Sequence, residues 1–215
     1  MELLSKAFGD YQTNCYILKT KIGDFIIDPG VESTTWINEN TNKAICILNT
    51  HGHYDHIWCN KELKDIFNIP IFCPKEDAFM LESDCFNLGL TTCKPDFYVE
   101  NDEIFYFSKS DNGKINIESN KDIKKNKDKI KVEYMFFPGH TPGCSMIKIG
   151  EYIFSGDFIF YRSIGRSDFP YSNTKDMQKS LEKFAQIQYD MMLYPGHGKS
   201  TTIKNEQKNL HLYMR

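Results

Sequence analysis

The hydrophobic positions of this chain fall into short runs that predict alternating strands and helices. Two β-favouring runs joined by turn residues predict an antiparallel hairpin over 14–18 and 25–27. The continuous apolar run at 44–48 is typical of a strand buried on both faces. Apolar residues then recur at helical spacing over 57–67, and a strand follows at 70–73. The strand–helix–strand order predicts that the two strands pair in parallel.

The second half of the chain repeats this alternation after a polar interruption. Around 108–131 the sequence is rich in Lys, Asn, Asp and Ser with isolated Ile, so we expect a solvated insertion there. The other predicted elements are helices over 33–40 and 174–188 and strands over 132–137, 145–149, 152–154 and 191–194. Because we find neither an internal repeat nor a Gly/Pro/Ser-rich linker, we expect 1–215 to form a single mixed α/β domain.

Composition narrows the class of protein. The 215 residues are 40 % hydrophobic and 26 % charged, which predicts a globular chain with a sizeable core. The apolar runs fall short of the roughly 18 residues that a membrane span needs, and the N-terminus has no secretory pattern, so we expect a cytoplasmic protein. Seven scattered cysteines without a Cys-x-x-Cys pair argue against a disulfide framework. The net charge of −3 gives no reason to expect nucleic acid as a partner, and the oligomeric state stays open.

Five of the six histidines lie in three short segments, of which the first is 51–56, His-Gly-His-Tyr-Asp-His. Imidazole and carboxylate groups suit zinc, iron or manganese. The alternation lets His51 and His53 converge on one ion, while Asp55 and His56 turn toward a second. This spacing favours a site for two metal ions.

Three further ligand candidates follow predicted strands. His140 and His197 each come directly after Pro-Gly, and glycine permits the sharp turn that presents a ligand at the end of a strand. Asp157 follows Ser-Gly at the end of another predicted strand. A carboxylate can bridge two cations about 3.5–4 Å apart. We therefore expect these three residues to complete the site.

Together these motifs resemble those of the metallo-β-lactamase superfamily. The segments 14–16 and 28–30 look like its opening strands, and the ligand-bearing segments follow in order, so the resemblance covers nearly the whole chain. It implies an αββα four-layer sandwich with the site at one edge of two sheets. It also implies a set of ligands: His51, His53 and His140 for the first ion, Asp55, His56 and His197 for the second, and Asp157 as the bridge.

Within the superfamily, the segments 163–170 and 196–203 resemble those of the glyoxalase II-like (hydroxyacylglutathione hydrolase-like) enzymes. This implies a dinuclear hydrolase of thioesters such as S-lactoylglutathione. The nucleophile would be a metal-bound hydroxide oriented by Asp55. Arg162 or Arg166 would contact an anionic group of the substrate, although Arg166 could equally form a salt bridge within its own loop. True glyoxalase II carries a helical C-terminal extension, whereas this chain ends 18 residues after His197, so we expect only weak dependence on glutathione.

The resemblance leaves the metal and the reaction open. We expect two divalent ions per chain, zinc first, with iron or manganese as alternatives because the same ligands accept all three. Persulfide dioxygenases of the superfamily share the loop at 165–168 but use one iron, and other members hydrolyse a different ester, a lactone or a phosphodiester. Cys59 and Cys144 are expected to pack in the core, since metal-assisted hydrolysis needs no thiol.

Overall fold

Two β-sheets pack face to face in the computed structural model, which describes residues 1–119 and 129–214. The first sheet has six strands in chain order: β1 (Glu2–Phe8), β2 (Thr13–Lys19), β3 (Asp24–Ile27), β4 (Ala44–Leu48), β5 (Ile71–Pro74) and β6 (Phe97–Val99). Strands β1 to β3 are antiparallel, and β3 to β6 are parallel. The predicted hairpin and the predicted parallel pair, β4 and β5, are both confirmed.

The second sheet has the strand order β15-β14-β11-β10-β9-β7-β8. Its strands are β7 (Ile104–Lys109), β8 (Ile115–Ser119), β9 (Ile130–Phe136), β10 (Ser145–Ile149), β11 (Tyr152–Gly156), β14 (Met192–Pro195) and β15 (Thr201–Thr202), and a separate hairpin is formed by β12 (Ile159–Phe160) and β13 (Ser163–Ile164). Strands β9 and β11 both run antiparallel to β10, and β14 runs parallel to β11. The carboxyl ends of β9, β11 and β14 therefore meet at one edge of the sheet.

The helices are short, and they cover the outer faces of the sheets. They are α1 (Thr34–Asn40), α2 (Tyr54–Ile57), α3 (Asn60–Phe67), α4 (Ala78–Glu82), α5 (Thr174–Ala185) and α6 (Ile203–Gln207), with single 3-10 turns at Lys75–Asp77 and Leu210–Leu212. The helix predicted over 57–67 is thus broken into α2 and α3. In the part of the chain that the structure describes, no helix has the length and apolarity needed to cross a bilayer.

Three buried clusters show the layer order. Between the sheets, Phe25 of the first sheet meets Phe107 of the second with ring centroids 5.0 Å apart. A second cluster joins the outer face of the first sheet to α1 and α3, and a third joins the outer face of the second sheet to α5 and α6. Cys59 and Cys144 lie in these outer clusters, as expected of packing residues. The αββα sandwich expected from the sequence is confirmed.

The expectation of a solvated insertion around 108–131 needs a correction. Residues Ile115–Ser119 form β8, which pairs with β7, and Ile115 and Ile117 pack against the central core. Their period-two spacing places both isoleucines on one face of the strand, which an argument from composition overlooks. Ile130 at the other end is buried in β9. Residues 120–128 lie outside the described part of the chain.

Candidate metal centre

The ends of four strands converge at one edge of the sandwich. His140, Asp157 and His197 follow the parallel strands β9, β11 and β14, while the segment 51–56 follows β4 of the facing sheet. The structure brings together all seven ligand candidates proposed from the sequence: His51, His53, Asp55, His56, His140, Asp157 and His197. Residues distant in sequence therefore form one cluster.

The seven ligand candidates form two triads with a carboxylate between them. One ligand atom from each of His51, His53 and His140 lies within 4.8 Å of the others, and we call this group the first triad. The second triad, Asp55, His56 and His197, meets the same criterion. A third group, Asp28 with His51 and His56, meets this distance criterion across both triads.

Asp157 lies between the two triads. Its Oδ2 is 3.4 Å from His140 Nε2 and 3.2 Å from His197 Nε2. Its Oδ1 is 3.4 Å from His56 Nε2. One carboxylate thus faces members of both groups, which is the placement expected of a bridge.

Four buried atoms in the cluster have no hydrogen-bond partner: the Nε2 atoms of His51, His56 and His140, and Oδ1 of Asp157. Among the residues that the structure describes, only the Tyr134 hydroxyl shares this condition. An unsatisfied buried polar group costs about 1–3 kcal/mol, so native proteins contain few of them. Four such atoms around one space have the donor chemistry that a divalent metal ion requires of its ligands. The residues present therefore fit divalent metal ions.

The outer contacts of the histidines orient their rings. Four rings use Nδ1 for an outer partner: His51 with the Thr50 hydroxyl, His56 with Asp28, His140 with the Arg166 carbonyl and His197 with the Tyr11 carbonyl, at 2.8–3.1 Å. When one ring nitrogen donates its proton to an outer acceptor, the other nitrogen has a free lone pair that can bind a metal. In all four rings, Nε2 is the nitrogen that remains for the centre.

Electrostatics keep the first triad neutral. Burial lowers the pKa of His51 well below its ordinary value, and the nearby His56 lowers it further. Burial, with a further contribution from His140, lowers the pKa of His53 to about 3. The pKa of His140 is also lowered by burial, which outweighs the attraction of Asp157. Neutral imidazole is the form that binds a metal, so these three rings are ready to ligate at neutral pH.

The second triad has the opposite electrostatics. Burial alone would lower the pKa of His197, but hydrogen bonds to Asp157 and Asp55 raise it to about 10. The same carboxylates raise the pKa of His56 against its burial. Burial would raise the pKa of Asp55, yet His56 and His197 lower it to about 2. Without ions, protons on the two imidazoles balance the carboxylates, so binding of a cation here will release protons.

Asp28 supports the second triad, although the sequence indicated it only as part of an opening strand. Its Oδ1 accepts a hydrogen bond from the Thr50 backbone N–H at 2.8 Å. Its Oδ2 accepts one from the Thr50 hydroxyl at 2.6 Å and lies 3.1 Å from His56 Nδ1. Both oxygens are thus in use, so we assign Asp28 as the partner that orients His56 and not as a ligand.

Asp77 supports the first triad, and no motif pointed to it. This fully buried residue ends the 3-10 turn before α4. Its Oδ2 accepts hydrogen bonds from the Gly52 N–H and the Thr141 hydroxyl, at 2.9 and 2.6 Å, and its Oδ1 accepts one from the Gly143 N–H at 2.6 Å. Gly52 separates the first two histidines of the triad, and Thr141 follows the third. Asp77 therefore ties together the two loops that carry the first triad.

The start of β2 holds the second triad in place. The Thr13 hydroxyl donates to Asp55 Oδ2 at 2.7 Å. The Asn14 side-chain amide donates to the carbonyls of Pro195 and Gly198, at 3.0 and 2.8 Å, on either side of His197. The N-terminal hairpin is therefore part of the site's support.

Two glycines beside Asp157 permit the close approach of the strand ends. Gly156 has φ +49°, and an added Cβ would lie 2.5 Å from the Thr50 hydroxyl oxygen. At Gly196, an added Cβ would lie 2.0 Å from Asp157 Oδ1. Gly139, before His140, has φ +138°, as the predicted sharp turn requires.

A cavity of about 310 Å³ opens onto the cluster. It is lined by Tyr11, His53, Tyr54, Asp55, Phe86, His140, Asp157, Phe169, Pro170 and His197. The two arginines proposed to bind substrate are not in this lining. Arg166 forms a two-point ion pair with Asp168 at 2.9 and 2.8 Å, and the Arg162 guanidinium lies 5.5 Å from the ring centre of Tyr161.

A family model and two named relatives match this chain over most of its length. The sequence model of the metallo-beta-lactamase superfamily matches residues 8–197. The hydroxyacylglutathione hydrolase GloC of Haemophilus influenzae is 30 % identical over 208 residues, which cover 93 % of this chain and 92 % of GloC. The probable metallo-hydrolase YqgX of Bacillus subtilis is 29 % identical over 212 residues, covering 93 % and 91 %.

Solved structures match along the full length as well. The BLEG-1 B3 metallo-beta-lactamase superposes with a TM-score of 0.77 at 26 % identity, covering 96 % of this chain and 97 % of that one. TTHA1623 in a di-iron-bound form superposes with a TM-score of 0.71 at 25 % identity, covering 96 % and 98 %. The similarity therefore extends over both sheets and the edge at which the cluster lies.

Proposed function

This chain belongs to the metallo-beta-lactamase superfamily and is a metal-dependent hydrolase, and we propose that it hydrolyses acyl thioesters at a centre of two divalent ions. Zinc is the first candidate for both positions, and iron or manganese is the alternative, because histidine and carboxylate ligands accept all three. The proposed ligands are the two triads together with Asp157.

The observation that carries the proposal is the pair of triads joined by one carboxylate. A single-ion site would need only the first triad, yet Asp55, His56 and His197 form a second group of the same size. Asp157 faces both groups, and its negative charge would offset the repulsion between two cations. This arrangement favours a dinuclear hydrolase over a dioxygenase with one iron.

The chain's own residues have separable parts in the reaction. Divalent ions bound here would polarise a carbonyl and lower the pKa of coordinated water toward about 7. Asp55 lines the cavity and is held by the Thr13 hydroxyl, so its carboxylate is placed to orient a water molecule. Hydrolysis adds the hydroxyl of water to the acyl carbon, breaks the C–S bond and delivers the proton to the sulfur. The products are a carboxylic acid and a thiol.

The relatives support the choice of a thioester. GloC, whose name describes a hydroxyacylglutathione hydrolase, matches almost the entire chain. The resemblance of the segment 163–170 to glyoxalase II-like enzymes points to the same bond. S-lactoylglutathione is therefore one substrate to test, beside simpler acyl thioesters.

The test combines metal counting with a thiol-release assay. We expect the purified chain to bind close to two ions and to hydrolyse acyl thioesters when loaded with zinc. His51→Ala should lose metal and activity, whereas His211→Ala, which changes the exposed sixth histidine outside the cluster, should retain both. One bound iron with oxygen uptake on glutathione persulfide would replace the proposal with a dioxygenase. Turnover of a lactone, a phosphodiester or a β-lactam without thioester hydrolysis would reject the thioester assignment.

A further inference from the structure

The part of the cavity lining that is not made of ligand candidates is almost entirely apolar. Tyr11, Tyr54, Phe86, Phe169 and Pro170 form this part, which we call the aromatic wall. Neighbouring rings in it are in contact, with centroids 6.0 Å apart for Tyr11 and Tyr54 and 6.4 Å for Tyr54 and Phe86. Of the residues that the structure describes, no Lys or Arg lines this cavity.

Two rings of the aromatic wall lie directly beside the first triad. The Phe86 centroid is 5.9 Å from that of His53, and the Phe169 centroid is 6.3 Å from those of both His53 and His140. A thioester carbonyl carbon carries the acyl chain on one side and the sulfur on the other. A carbonyl at the first triad would therefore bring one of these two groups against Phe86 and Phe169. The acyl chain takes this position when the sulfur faces the second triad.

The basic side chains near the cavity are engaged outside it. The Arg166 guanidinium lies 4.1 Å from the Phe169 ring centre and is paired with Asp168. Arg162 and Lys199 both lie over the Tyr161 ring, at 5.5 and 3.8 Å. A glutathione moiety carries two carboxylates, which need cationic or strong hydrogen-bonding partners. The aromatic wall offers apolar contact area in their place.

We propose that the aromatic wall selects thioesters with an apolar acyl chain of medium length, in preference to the anionic S-lactoylglutathione. This proposal rests on the thioesterase function proposed above and names its substrate class. The cavity of about 310 Å³ is of the size that small-molecule sites have, so it can hold an acyl chain beside the reacting group.

The expected gain per methylene follows from burial. Each buried CH₂ contributes about 0.8 kcal/mol, which corresponds to about a fourfold change in an equilibrium or rate constant at room temperature. The cavity is open on one side, so we expect a two- to fourfold rise in kcat/KM per methylene from butanoyl to octanoyl. The rise in kcat/KM should stop once the acyl chain extends beyond the aromatic wall.

The experiment uses the full chain loaded with zinc and a series of N-acetylcysteamine thioesters from acetyl to octanoyl. We expect octanoyl to be hydrolysed with a kcat/KM at least tenfold above those of acetyl and S-lactoylglutathione. Phe86→Ala and Phe169→Ala should each reduce the octanoyl-to-acetyl ratio at least fivefold with metal content unchanged. Phe86→Leu should restore most of the ratio, because leucine returns apolar area.

Leu88→Ala is the matched control, since Leu88 lies in the same loop as Phe86, is 47 % exposed and is not in the lining. It should leave the ratio unchanged. Equal rates along the series, or S-lactoylglutathione as the best substrate, would overturn this inference while leaving the thioesterase function standing. No hydrolysis of any thioester by the loaded protein would overturn the proposed function itself.

Discussion

Replacing Asp28 with asparagine tests whether its hydrogen bond to His56 Nδ1 determines which nitrogen of that imidazole carries the proton. Asparagine has one carbonyl oxygen and an amide group that only donates. If the oxygen faces the Thr50 N–H, the amide nitrogen faces His56 Nδ1. That ring atom must then accept, so the imidazole proton moves to Nε2, which faces the centre. If the side chain turns over, its amide meets the Thr50 N–H at the 2.8 Å now spanned by a hydrogen bond.

Either orientation of the asparagine side chain weakens metal binding by the second triad. A hydrogen bond to a charged group is worth about 1.5–3 kcal/mol, and each 1.4 kcal/mol is a factor of ten in affinity. We therefore expect zinc to bind the second triad about 10- to 150-fold more weakly in Asp28→Asn. The first triad should change less, because Asp28 reaches its His51 through the Thr50 hydroxyl and not by a hydrogen bond of its own.

The assay is a titration of the metal-free protein with zinc against a chromophoric chelator, which resolves the two binding steps. Nitrogen-15 NMR of the imidazoles reports the tautomer of His56. The matched control is Asp24→Asn, at the opposite end of β3. Asp24 is buried and accepts hydrogen bonds from the Thr41 hydroxyl and two backbone N–H groups. Wild-type affinity for both ions in Asp28→Asn, or equal weakening in Asp24→Asn, would refute the reasoning.

Three further outcomes follow from the same contacts. Asp157→Asn should lower turnover by about two or more orders of magnitude and release the ion of the second triad before that of the first, because it removes the charge shared by two cations. Metal counting on the folded variant checks this, and two retained ions with a near-normal rate would contradict it. Asp77→Asn should weaken zinc binding by the first triad about 10- to 100-fold, as the loss of a residue that supports metal ligands does. Glu76→Gln, which changes an exposed neighbour, should leave that affinity unchanged. Burial raises the pKa of Asp77 to about 6. The folded chain therefore holds this proton more tightly than the unfolded one. The free energy of unfolding of the metal-free protein should therefore fall by up to about 3 kcal/mol as pH rises from about 4 through 6. Denaturant unfolding measured at several pH values should show this fall in the wild type and not in Asp77→Asn.

The sequence by itself determined the candidate ligands and eight of the fifteen strands found in the described residues, namely β2 to β5, β9 to β11 and β14. Each predicted ligand belongs to a local signal: an apolar run that ends in a polar turn, with histidine or aspartate at the first positions after it. The direction of a strand decides which of its ends carries the ligand, so His140, Asp157 and His197 were predictable without knowing their neighbours. The period-two isoleucines of β8 were equally local, and were overlooked because the surrounding composition is polar.

Only the tertiary structure decided which residues hold the ligands and what the cavity is lined with. Asp28 meets Thr50 across 22 residues, and Asp77 meets Gly143 across 66, so neither role leaves a pattern in a local window. The arginines differ, because Arg166 pairs with Asp168 and lies over Phe169 within its own loop, and a salt bridge in that loop was one of the two roles that the sequence offered. Only the fold shows that neither Arg162 nor Arg166 is in the cavity lining. Hydrogen-bond partners and cavity walls are set by side chains that meet after the sheets pack. For this reason they follow from the assembled fold and not from spacing along the chain.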